Sequence, residues 1–115
     1  MNTADIQFYH AHIYYDDEAG LAQAQQLAAQ IEQQFEVKVG RFHQKKVGPH
    51  PKWSVQISFA APEFAQVIPW LMLNRGDLDV FYHPLTGDEL FDHTQGVAWL
   101  GNAHDLDIRQ FLTKN

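Results

Sequence analysis

Phe8-Tyr-His-Ala-His-Ile-Tyr-Tyr15 is the stretch on which the fold turns. From residue 6 to 15 the chain alternates with a period of two. Ile6, Phe8, His10, His12 and Tyr14 take one side, and Gln7, Tyr9, Ala11, Ile13 and Tyr15 the other. Aromatic and β-branched residues in such alternation read as a strand. The side carrying Tyr9, Ala11 and Ile13 suits packing beneath helices, which turns the two histidines away from that layer. Side chains two residues apart on a strand stand side by side, so His10 and His12 can reach one metal ion. His-X-His alone is a weak signal, because such a pair is often mere decoration of a sheet. Its meaning depends on what the rest of the chain brings to the same face.

Downstream, Asp16-Asp17-Glu18 offers aspartates able to cap a helix and acidic charge for its positive end. Leu21, Ala24, Leu27, Ala28, Ile31 and Phe35 then recur at helical spacing, with glutamines on the outer positions. Residues 36–42 alternate again as a second strand. Residues 43–51 are a long connection in which Gly48-Pro-His-Pro51 sets His50 between two prolines that restrict its backbone. That segment reads equally as a braced functional imidazole and as a rigid turn with an exposed one. Residues 53–60 form a third strand, with Trp53, Val55, Ile57 and Phe59 towards the core and Ser54, Gln56 and Ser58 opposite. Pro62 opens a second helix with Phe64, Val67, Ile68, Leu71 and Met72 inward, and Gly76 stops it. Pro69 inside it predicts a kink or a split. Residues 77–82 are a fourth strand, Leu78, Val80 and Tyr82 opposing Asp79, Phe81 and His83.

Strand, helix, strand, strand, helix, strand is the split βαβ pattern. The expected fold class is therefore α+β: a ferredoxin-like βαββαβ antiparallel sheet with both helices on one face, plus a C-terminal extension. In that topology the fourth and first strands are antiparallel neighbours, so His83 comes close to His10. Three histidines then converge on the helix-free face with Gln56 and Ser58. From Pro84 the chain is turn-rich, bunching Asp88, Glu89, Asp92 and His93 before Val97-Ala-Trp-Leu-Gly101. Exposing Phe91, Trp99 and Leu100 would cost about 25 cal/mol per Å² of apolar surface. This tail is expected to cross the open sheet face or to pair with a second subunit. Asp105 is the expected cap of a short final helix with Ile108, Phe111 and Leu112 inward.

The 115 residues suit a single domain over 1–115, and 45% hydrophobic with 13% aromatic content excludes a disordered chain. No apolar run approaches the roughly 20 residues of a membrane helix, and the N-terminus lacks the pattern of a signal peptide. No membrane partner and a cytoplasmic location are the expectations. Zero cysteines remove disulfides, thiolate metal sites and cysteine nucleophiles, leaving seven histidines as the resource for any metal. A net charge of −6 with only 8 Lys and Arg argues against a nucleic-acid partner. Arg41, Lys45 and Lys46 read first as a solvated turn, and second as a site for an anionic substrate carboxylate.

Neutral imidazoles suit Fe(II), Zn(II), Ni(II) and Cu(II). Strand geometry makes His10, His12 and His83 the candidate metal ligands, with His50 and His93 as lids over them. Asp88, Glu89 and Asp92 are candidates for a carboxylate ligand or for a partner that holds an imidazole tautomer. The sequence carries no Gly-rich phosphate loop, no Gly-X-Ser-X-Gly elbow and no His-Glu-X-X-His. Ser54, Ser58 and Thr94 read as hydrogen-bonding surface rather than nucleophiles. Tyr14 shares the histidine face and could hydrogen-bond a phenolic substrate. The competing reading is a non-catalytic, dimeric ferredoxin-like protein that binds a small molecule, a metal or a partner across its open sheet.

In combination, His10-Ala-His-Ile-Tyr-Tyr15, Gly48-Pro-His-Pro-Lys-Trp53, Leu73-Asn-Arg-Gly76, His83-Pro-Leu-Thr-Gly-Asp88 and Asp92-His-Thr94 resemble the DOPA 4,5-dioxygenase family, over roughly residues 8–101. That family includes fungal pigment-forming enzymes and small bacterial proteins. The resemblance implies a ferredoxin-like fold and extradiol cleavage of a catechol such as DOPA, with non-haem Fe(II) as cofactor and O₂ as co-substrate. Zn(II) is the ion that a purified sample could carry instead. His10, His12, His50, His83 and His93 all fall on matching motif positions. The implied division gives the metal to His10, His12 and His83, and to His50 or His93 the task of taking a catechol proton and later returning one. A homodimer is the expected assembly.

Overall fold

The first strand, β1 (Phe8–Tyr15), is the centre of a sheet whose order is β2-β3-β1-β4-β5. Here β2 is Val37–Val39, β3 Trp53–Ala60, β4 Asp79–Pro84 and β5 Ala98–Leu100, and every pairing is antiparallel. This computed structural model describes residues 1–112; the end of the expected domain, residues 113–115, lies outside the described residues. Helices α1 (Glu18–Gln34) and α2 (Phe64–Asn74) fill the two crossovers, giving the βαββαβ core with one further strand. Asp17 starts α1 by accepting a hydrogen bond from the Gly20 amide at 2.7 Å.

The core lies between the helices and one sheet face. Ala11 and Ile13 of β1, Val55 and Ile57 of β3 and Val80 of β4 pack against Ala24, Leu27, Ala28 and Ile31 of α1 and Val67, Ile68 and Leu71 of α2. Full burial of a large aliphatic side chain contributes about 1.5–3 kcal/mol, so this layer supplies most of the favourable free energy of folding. Its composition forces the period-two partners, the histidines of β1 and β4, onto the opposite face. Among the described residues no helix is long and apolar enough to cross a membrane.

Three details depart from the sequence reading. The second strand keeps only three residues in its ladder, although the chain stays beside β3: Gly40 donates to the Gln56 carbonyl at 2.8 Å and His43 to that of Ser54 at 3.0 Å. Pro69 does not split α2, which runs unbroken through it. Pro69 and Ala65 are both exposed, so the carbonyl that the missing N–H would have engaged faces water. Lastly, residues 98–100 do not cross the face. They extend the sheet, pairing Trp99 with Phe81 and Leu100 with Val80.

The segment that does cross the open face follows β5. His104 bonds Asp79, the Asp107 amide donates to the Pro49 carbonyl at 2.8 Å, and Phe111 of α4 (Arg109–Leu112) stacks on His93. Asp107, not Asp105, holds the start of α4, accepting from the Arg109 amide at 3.2 Å. Phe111 is buried, Ile108 half-buried and Leu112 exposed, because a helix this short turns only one side chain fully to the sheet.

Candidate metal centre

Strand register assembles the site. His10 lies opposite His83 on one side and Ser58 on the other; His12 lies between Phe81 and Gln56, and Tyr14 between Asp79 and Ser54. All of these side chains share the helix-free face. His10, His12 and His83 offer ligand nitrogens that lie within 4.8 Å of one another, a group that could hold a metal ion. The Nε2 atoms of His12 and His83 stand 3.3 Å apart. Two nitrogens each about 2.1 Å from one first-row ion stand about 3–3.4 Å apart, so this pair fits a shared ion.

The proton states fit as well. The Nδ1–H of His83 donates to the Pro84 carbonyl at 2.9 Å, and a carbonyl can only accept. Neutral His83 therefore keeps a lone pair on Nε2, the nitrogen that faces His12. Burial, followed by the neighbouring His50 and His83, pushes the His12 imidazole well below the usual histidine range. Burial likewise lowers His83 to about 4, against the opposing pull of the Pro84 carbonyl, and lowers His10 with help from His93. At neutral pH the three are uncharged donors, the form in which imidazole binds a metal.

His50 and His93 complete the surround. The His50 ring packs 4.3 Å from that of His12, and its Nδ1 lies 2.7 Å from the hydroxyl of Tyr14. Burial, with His93 and His83 next in importance, lowers His50 to about 4. Burial also pushes the Tyr14 phenol up, which keeps its proton in place. His93 sits just past α3 (Glu89–Asp92), with its ring 4.6 Å from that of His83 and its Nδ1–H donating to the Glu89 carbonyl at 2.6 Å. All five histidines line one cavity of about 230 Å³, which Gln56, Leu85 and Phe111 help to wall. That volume suits a small ligand rather than a cofactor. A larger cavity of about 370 Å³ lies elsewhere, under residues 1–6 and beside Phe91; Asp5 is its one ionisable lining side chain, so size alone does not locate the chemistry.

The acidic cluster behaves differently from the histidines. Asp88 caps α3 by accepting from the Phe91 amide at 3.1 Å. Asp92 is buried and accepts from the Thr86 amide at 3.1 Å and hydroxyl at 2.6 Å. Glu89 and Asp92 reach the cavity wall, but among the described residues no carboxylate joins the three-imidazole group.

Two features escaped the sequence reading. Tyr14 is engaged by a histidine instead of standing ready for a ligand. Behind it, His104 donates to Asp79 at 2.8 Å while the Asn102 amide donates to the other carboxylate oxygen at 2.8 Å. Burial pushes the Asp79 carboxyl up, and these hydrogen bonds outweigh it and hold the group below the usual range. Its place two residues after His12 put Tyr14 on the histidine face, and only its partner, His50, went unseen. His104 could not be placed from the sequence, since residues 101–107 carry no periodicity.

A sequence profile of the Dopa 4,5-dioxygenase family matches residues 9–110. An uncharacterised 21.2 kDa protein of Botryotinia fuckeliana is 34% identical over 113 residues, 90% of this chain and 60% of its own length. DOPA 4,5-dioxygenase of Amanita muscaria is 31% identical over 121 residues, 97% of this chain and 53% of its own. The chain thus spans between half and two thirds of these curated relatives. The crystal structure of a candidate dioxygenase from Nostoc punctiforme superposes with a TM-score of 0.91 at 43% identity, covering 97% of this chain and 96% of the other.

Proposed function

This chain belongs to the Dopa 4,5-dioxygenase family, and from that premise we propose that it is an extradiol dioxygenase that opens the ring of a small catechol, with His10, His12 and His83 holding Fe(II). The observation that carries this reading is the meeting of those three neutral imidazoles with two further ones, His50 and His93, around one small cavity. When bound, Fe(II) supplies the redox and Lewis-acid chemistry that lets a catechol and dioxygen react. Both oxygen atoms of O₂ end in the ring-opened product, as a new aldehyde and a new carboxylate, so no added reductant is required. The chain's own part is to orient the ring, exclude water and handle protons. Phe111 and Leu85 are apolar walls of the cavity, with Phe81 packed against the histidine rings, and an imidazole that is not a metal ligand takes the proton of a catechol hydroxyl.

Loading the protein anaerobically with Fe(II), adding a panel of catechols and then admitting air tests the reading. The expected result is a yellow semialdehyde from at least one catechol, with none before air enters. A colourless result across the panel would leave a binding module. Replacing His12 by Ala is expected to abolish both metal retention and ring opening; a variant with unchanged metal content would remove His12 from the ligand set.

A further inference from the structure

Taking that reading as given, we infer that His50 and His93 meet the substrate with opposite functions, His93 as a lone-pair base and His50 as an N–H donor, and that Tyr14 is the positioning residue that makes His50 a donor. Each assignment follows from what the other ring nitrogen touches. The Nδ1 of His93 lies 2.6 Å from the Glu89 carbonyl oxygen. A carbonyl accepts and never donates, so that nitrogen carries the proton, and the lone pair of the neutral ring is left on Nε2.

His50 is held the other way. Its Nδ1 faces a hydroxyl at 2.7 Å, which can donate or accept. Tyr14 is only 2% exposed, and His50 is the one hydrogen-bond partner of its hydroxyl among the described residues. If His50 donated, the phenol proton would be buried without an acceptor, and a buried unsatisfied donor is strongly disfavoured. The phenol therefore donates to Nδ1, and neutral His50 carries its own proton on Nε2. The ring is not free to exchange its nitrogens. Pro49 and Pro51 flank it, the Asp107 amide pins the Pro49 carbonyl, and the ring packs on His12. Both rings line the same cavity. A catechol hydroxyl there loses its proton to Nε2 of His93, whose Nδ1–H stays bonded to the Glu89 carbonyl. The Nε2–H of His50 donates to oxygen on which negative charge has grown.

Proton-nitrogen correlation spectra of the histidine rings in ¹⁵N-labelled, Zn(II)-loaded protein test this directly and need no turnover. The expected result is His50 in the Nε2–H tautomer and His93 in the Nδ1–H tautomer, with Tyr14→Phe moving His50 towards a mixture of both. The inference is overturned if His50 carries its proton on Nδ1, or if its tautomer is the same without the phenol. With a catechol that is turned over, His50→Ala lowers kcat about 100-fold, and His50→Gln, which restores an N–H, recovers about tenfold or more. His93→Gln recovers nothing over His93→Ala, because an amide is no base. Rescue at 93 and not at 50 would reverse the roles. If no catechol is cleaved the proposed activity fails, and the spectra still decide the tautomers.

Discussion

A histidine that must stay neutral in the folded chain makes stability depend on pH. His50 and His83 titrate near pH 4 when folded and His12 also lies well below its ordinary value, whereas in the unfolded chain all three take up protons near pH 6.5. Between those limits the unfolded state binds more protons, so stability is complete above about pH 6.5 and declines as pH falls towards 4. Each unit of depression corresponds to about 1.4 kcal/mol, and mutual repulsion between the rings keeps the total below a simple sum. With a chelator present, the urea midpoint is expected to change little from pH 7.5 to about 6.5 and then to fall towards pH 5, where the lowered Asp79 carboxyl still contributes fully. A flat profile over that interval would show that these imidazoles are not buried as described. At this scale the sequence was informative wherever position alone sets orientation. The period of two placed His10, His12 and His83 on one face, but it said nothing about Tyr14 meeting His50, which depends on how a nine-residue connection folds back.

Elements were legible in proportion to how strongly their own pattern repeats. The strand at 53–60 and helix α1 each carry a full apolar stripe, and both form where that stripe predicts. The short pieces were not legible, because one turn of helix or three residues of ladder owe their form to what they pack on. Thus 97–101 carried an apolar signal that fitted a cover as well as an edge strand, and α4 was expected to bury three side chains where geometry allows one. Pro69 shows the opposite case: of the kink and the split that its local rule allows, the split does not occur. Its helix is held by Val67, Ile68 and Leu71 in the core, and the carbonyl left without an N–H partner belongs to the exposed Ala65. Pro69→Ala restores the N–H to an exposed helix interior, where Pro is about 3 kcal/mol worse than Ala as a helix former. Since Pro also restrains the unfolded chain, the net gain is expected to be about 1 kcal/mol, read as a higher urea midpoint with metal content unchanged. A loss of stability would mean that α2 needs its proline.

The two faces of the sheet differ in what holds them. Under the helices lies a continuous apolar layer; on the other side lie five histidines, Tyr14 and Phe81, roofed by the 43–51 connection and by residues 102–112. Convergence of the histidines was legible because the split βαβ order dictates that the first and last core strands are neighbours. The roof was not, since no rule of topology says where an aperiodic tail returns. Among the described residues the chain's own tail lies over the open face that was one ground for expecting a homodimer, while Met72 and Leu73 are exposed elsewhere. Among the described residues the tail part of the roof, 102–112, is tied to the rest by Asp107 to Pro49, by His104 and Asn102 to Asp79, and by Phe111 on His93. β1, in contrast, is laddered on both sides. Local opening of a terminal segment that lies outside the strand ladder needs less free energy than unfolding the sheet. The Asp107 and Phe111 amides are therefore expected to exchange with solvent at least about 100-fold faster than those of Ala11 and Ile13, and to do so without any change in β1. Equal protection would place the roof inside the same cooperative unit as the core, and the histidine cavity would then open only when the whole molecule unfolds.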